Sequence, residues 1–124
     1  MPRTPPEHPE GIGETLRRAR TARGLSLRDV ASAVGVTYAY IADLEMDRRL
    51  PSDVTAVKLA RALSVDQDIL LARLGRLRPE VTAFLQEHPE NAQLLSRIVL
   101  RRLSREQLER LLSSLDQTSE SSPT

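Results

Sequence analysis

Cysteine is absent from this 124-residue chain, which excludes disulfides, thiolate metal sites and cysteine nucleophiles. Aromatic rings are nearly absent too: Tyr38, Tyr40 and Phe84 are the whole complement. Any core must therefore be aliphatic. No apolar run approaches the roughly 20 residues that a membrane span needs, and the opening MPRTPPEHPEG lacks the apolar centre of a signal peptide. A soluble, cytoplasmic protein with no membrane partner is expected. Histidine is scarce and poorly placed for chemistry, with His8 among prolines and His88 directly before Pro89. The glycines form no phosphate-binding loop, and the acids form no recognisable pair on a buried face. No catalytic residue, metal ligand or cofactor site can be nominated, so an enzyme is not expected.

What is present is Leu, Ala, Val and Ile without alternating runs, a composition that favours helices packed through aliphatic side chains. The net charge of +1 gives no global attraction to a polyanion. Its distribution says more. Arg17, Arg18, Arg20, Arg23 and Arg28 follow one another with no acid between, and Arg48 and Arg49 form a second basic step. By charge alone these are solvated helix faces as readily as phosphate-facing ones.

Four of the eight prolines fall in residues 1–11, which are expected to form a disordered arm; residues 116–124, rich in Ser, Thr and acids, are expected to form a disordered tail. Between them helix punctuation is dense. A first helix spans about Gly13 to Arg23, with Ile12, Leu16 and Ala19 on one face and Gly24 terminating it. Ser26 with Asp29 opens a second that buries Val30, Ala31 and Val34. Thr37 caps a third with Ile41 and Leu44 inward. Ser52 caps a fourth burying Ala56, Leu59, Ala60 and Leu63, and Asp66 caps a fifth carrying Ile69 and Leu70. A boundary is expected between residues 74 and 75. Beyond it, Pro79 starts a helix with Val81, Phe84 and Leu85 inward, and Pro89 another with Leu94, Leu95, Ile98 and Val99. Ser104 and Gln107 open a last one with Leu108, Leu111, Leu112 and Leu115 on a stripe. The expected fold class is all-α, with no strand.

The pair of short helices around Gly35 is the informative feature. Two helices crossing steeply through a three- or four-residue turn need a small residue at their contact, here Ala31, and a turn residue that accepts a left-handed backbone, here Gly35. Val30, Val34, Val36, Ile41 and Leu44 then close the wedge. With Ile41 and Leu44 inward, Tyr38 and Tyr40 fall on the flanks of the buried stripe.

At this point the chain resembles a family. IGETLRRARTARGLS, LRDVASAVGV, YIADLE, Pro51–Ser52 and KLARALSV before DILL look like the phage-repressor-like helix-turn-helix regulators of the Cro or XRE type, in one register from Ile12 to Leu71. The resemblance implies a five-helix lambda-repressor-like domain over 12–74 that binds double-stranded DNA, with the third helix in the major groove. It implies base-facing positions at Tyr38, Ala39 and Asp43, phosphate contacts at Thr37 and Tyr40, and basic phosphate neighbours at Arg28, Arg48 and Arg49. It also implies a partly buried ion pair between Arg20 and Glu45. Two departures stand out. Leu27 occupies a position that is commonly polar and reaches the DNA backbone, and Asp47 replaces a turn glycine whose conformation it must adopt.

The helical segment 75–115 is expected to mediate a homodimer, because one such domain makes too few contacts for tight specific binding. A transcriptional repressor is the expected function. A second reading keeps the fold but makes the chain an antitoxin or other protein-binding module, with a partner on 75–115 and DNA used for autoregulation of its operon.

Overall fold

The computed structural model describes residues 11–120, with side chains to Thr118; of the arm expected over residues 1–11 all but the last residue lies outside it, as does the end of the tail, 121–124. Among the described residues there are eight helices and no strand. They are α1 (Gly13–Ala22), α2 (Leu27–Val34), α3 (Tyr38–Glu45), α4 (Asp53–Leu63), α5 (Gln67–Arg73), α6 (Pro79–Glu87), α7 (Asn91–Leu100) and α8 (Arg105–Glu120). The chain divides into two compact units, the first ending at Thr82 and the second starting at Ala83.

In the first unit, short-range chemistry sets each helix start. Ser26 accepts the Asp29 N–H while Asp29 accepts the Ser26 N–H, a reciprocal cap that also holds the Asp29 carboxyl below its usual range. Thr37, Ser52 and Asp66 each accept the N–H three residues on. Gly35, at φ 84°, ends α2 in the left-handed region, and Ser64 does the same for α4 at φ 54°. No sequence signal marked Ser64 for that conformation.

These caps aim one aliphatic face of each helix at a common centre. Ile12, Leu16, Val30, Ala31, Val34, Ile41, Leu44, Ala56, Leu59, Ala60 and Leu63 are all buried, so the core is as aliphatic as the composition required. α2 packs on α3 and α4, α1 on the same two, and α4 on α5. The expectation for α5 needs correction: Ile69 is 60% exposed, and Leu70 with Leu71 faces the core. In so short a helix a stripe can be drawn one residue off. The packing surface of α4 chooses between the two, not periodicity.

The first unit continues past residue 74. Leu74 is buried, and two arginines that the sequence reading passed over hold the following segment to the first unit. Arg76 donates to Pro51 O at 2.6 Å and reaches Asp53, while Arg78 binds Asp68 through two hydrogen bonds of 2.6 and 2.7 Å. The Arg78 hydrogen bonds hold the Asp68 carboxyl below its ordinary value. Because that value is depressed in the folded state, the pair's contribution is complete above the ordinary carboxylate range and is lost as pH falls through the depressed value. Replacing Asp68 by Asn should therefore lower thermal stability at neutral pH and flatten its decline on acidification, read as melting temperature against pH.

The second unit is different. Among the described residues none beyond Leu74 is buried, and Phe84, Leu94, Val99, Leu108, Leu111, Leu112 and Leu115 are all exposed. Of the residues expected to face inward from α6 and α7, Leu85 and Ile98 are half-buried, and Val81, Phe84, Leu94, Leu95 and Val99 are exposed among the described residues. Pro89 precedes α7 instead of opening it, forming a turn in which the Asn91 N–H donates to His88 O. The Ser104–Gln107 box is formed in both directions. α8 then runs to Glu120, through five residues assigned above to a disordered tail; neither Pro nor Gly interrupts them, and the Thr118 hydroxyl donates back to Ser114 O.

Candidate nucleic-acid interface

α3 is held from beneath by Ile41 and Leu44, which point into the core, and this fixes what its other face can offer. Tyr38 is 51% exposed, Ala39 is exposed and Asp43 is partly so. Thr37 caps the helix and Tyr40 packs partly against the core with one edge outward. Four of the five nominated residues thus lie outward or along one rim, and Tyr40 bridges rim and core. Arg28, on the first turn of α2, places its guanidinium 5.4 Å from the Tyr38 ring centroid. Arg49 does the same to Tyr40 at 5.6 Å. Each tyrosine therefore carries a cation on its ring, a pairing that neither the aromatic nor the basic pattern indicated by itself. The arrangement is a ridge of hydroxyls and a carboxylate with Arg28 at one end and Arg48 and Arg49 at the other.

Leu27 packs against the core, so this position offers the ridge no polar group. Below the ridge, Arg20 Nε and Nη2 donate to the two carboxylate oxygens of Glu45 at 2.7 and 3.0 Å, and Nη1 donates to Leu25 O at 3.0 Å. The Glu45 hydrogen bond and charge raise the Arg20 pKa above its ordinary value against the opposing effect of burial. A planar fork on a carboxylate fixes direction as well as distance, so α1 and the end of α3 are joined in one orientation.

The second joint is one that sequence reading missed. Asp47, at φ 56°, takes the left-handed turn conformation, and its carboxylate accepts the Gly13 N–H at 2.9 Å. α1 has no side-chain cap of its own from Ile12, so a residue 34 positions away does the capping. Gly13 lies against the Glu45 carbonyl so closely that a Cβ there would overlap it. A spacing of 34 residues between donor and acceptor has no local signature.

An eight-residue helix crossing another through a left-handed glycine, with its outer face open and arginines of the neighbouring segments beside it, defines a helix-turn-helix protein. Comparison with known proteins agrees. The family model described as helix-turn-helix matches residues 16–70. The uncharacterised regulator y4dJ of Sinorhizobium fredii is 35% identical over 54 residues, 44% of this chain and 70% of that protein. The uncharacterised regulator MT0491 of Mycobacterium tuberculosis is 32% identical over 60% of this chain and 54% of that protein. The restriction-modification controller protein C.AhdI from Aeromonas hydrophila is similar in structure, at 37% identity over 48% of this chain and 89% of that one, with a TM-score of 0.46. A cyanate hydratase of Parasynechococcus marenigrum matches 64% of this chain but 46% of its own length, at 34% identity. The chain belongs to the helix-turn-helix family of transcriptional regulators, of the Cro or XRE type. It spans little more than half the length of the first curated relatives it matches.

Among the described residues no cluster of His, Asp and Glu is arranged to hold a metal ion, and no helix is long and apolar enough to cross a membrane.

Proposed function

We propose that this chain is a sequence-specific, double-stranded-DNA-binding regulator in the cytoplasm, a repressor that acts as a homodimer and has no catalytic role. The observation that supports the DNA reading is the ridge of α3. Tyr38, Ala39 and Asp43 stand out from a helix whose opposite face is sunk in the core, flanked by Arg28, Arg48 and Arg49. A helix of this width fits a major groove, and arginines beside it support contacts to the phosphate backbone. Selection from a random duplex pool at low salt tests it; absence of any enriched sequence overturns it.

Two substitutions separate the roles. Tyr38→Ala should change the preferred base without abolishing binding, since phosphate contacts remain. Arg48→Ala should weaken binding to all sequences and reduce the slope of log affinity against log salt by about 1.

The homodimer is supported by the second unit. An amphipathic helix such as α8, with Leu108, Leu111, Leu112 and Leu115 exposed along one stripe, gains little stability without a surface to cover it. A second copy supplies that surface symmetrically and sets two recognition helices on half-sites about 34 Å apart. Leu111→Glu with Leu115→Glu should convert the dimer to monomer in sedimentation equilibrium and leave the melting of the first unit in place. If the wild-type chain sediments as a monomer and captures a different protein through the same leucines, the antitoxin-like reading replaces this one.

A further inference from the structure

The outward face of α3 carries an acid, although the surface it would meet is a polyanion. The Asp43 side chain is 36% exposed, and its two carboxylate oxygens are shared between two cations: Oδ1 faces Arg48 Nη1 and Oδ2 faces Arg49 Nε, each at 3.8 Å. Backbone geometry brings these arginines back beside the helix they follow. The Arg48 N–H donates to Asp43 O at 2.9 Å, and the left-handed turn at Asp47 is fixed by its bond to Gly13. The Arg49 guanidinium is also seated on the Tyr40 ring.

Exposed pairs at such a distance are weak, amounting to no more than about fivefold in population. They are therefore exchangeable. A DNA backbone presents a dense row of negative charge, and either arginine gains more from a phosphate and the counterions it releases. Once they leave, Asp43 stands as a bare carboxylate in the groove. It is repelled there unless a donor meets it, and the donor that the major groove offers an acid is the N4 amino group of cytosine.

We infer that Asp43 is an internal phosphate mimic: it holds Arg48 and Arg49 back from indiscriminate DNA and yields them where a cytosine amino group takes over its carboxylate. The residue then sets specificity by lowering non-cognate affinity more than cognate affinity. This rests on the DNA-binding reading above.

The test uses the full chain and four proteins: wild type, Asp43→Asn, Arg48→Gln with Arg49→Gln, and the triple variant. Each is titrated at fixed low salt against a random duplex and against the wild-type selected site. Asp43→Asn should bind the random duplex about fivefold more tightly, gain less on the selected site, and lose a cytosine preference at one position of each half-site. In the background lacking both arginines its gain on random duplex should shrink to about twofold or less, because direct repulsion is all that is left to remove. Equal gains in both backgrounds would show that Asp43 simply repels DNA, and no gain in either would show that it restrains nothing; both overturn the inference. A wild-type chain that selects no sequence removes the DNA-binding reading itself, whereas one that selects a site while Asp43→Asn matches it removes this inference alone.

Discussion

Glu45→Ala should destabilise the first unit by about 3 kcal/mol, measured by urea or thermal unfolding. The Glu45 and Arg20 side chains are 8% and 15% exposed, and the substitution leaves the guanidinium in that setting with Leu25 O as its remaining partner. Breaking a fully buried pair costs about 3 to 5 kcal/mol, and the residual exposure here puts the effect at the lower end. Arg20→Ala should cost as much or more, since it strips the Leu25 carbonyl of its donor as well. Replacing both by apolar residues should cost less than either single change, because no charge is then left unmatched. A loss below about 1 kcal/mol for Glu45→Ala would place the pair among ordinary surface contacts.

Gly13→Ala is expected to have the second large effect, and its sign runs against helix propensity. In a free helix interior this change stabilises by about 0.5 to 1 kcal/mol. At Gly13 the new methyl would meet the Glu45 carbonyl, and Asp47 Oδ1 lies 3.0 Å from the same point. Backbone cannot swing aside as a side-chain end can. The overlap forces α1 away from the end of α3, at an overpacking cost of about 1 to 3 kcal/mol or more, and it stretches the Asp47 cap in the same movement. A net loss of about 2 kcal/mol should appear in unfolding, together with faster amide exchange in the first turn of α1. Since Asp47 also fixes the turn that carries Arg48 and Arg49, DNA affinity should fall with stability. A variant more stable than wild type would mean that α1 and α3 part without cost.

These two joints show where sequence reading reaches and where it stops. Caps such as Ser26, Thr37, Ser52 and Asp66 act within three residues, so their partners lie in the same short word and α2 to α5 could be placed; α1 was placed by its apolar face and Gly24. The core residues of α1 to α4 follow from the same periodicity. Arg20 and Glu45 were nameable through resemblance to a family; neither spacing nor charge singles them out. The bond between Asp47 and Gly13 and the ties from Arg76 and Arg78 span 34, 25 and 10 residues, all beyond the reach of a local motif, and have no pattern to betray them. Ile69 shows the other failure, in which a helix two turns long admits two stripes and the neighbouring helix decides. In α6 to α8 the stripes were visible, but what they would pack against was not.

The shortage of aromatic residues has a practical consequence. The chain has no tryptophan, and its two tyrosines both stand on α3, each with a guanidinium over its ring. The tyrosine emission of the whole unlabelled protein is therefore the emission of its proposed reading helix. Anything that displaces Arg28 or Arg49, or stacks a base edge beside Tyr38, acts directly on the chromophore.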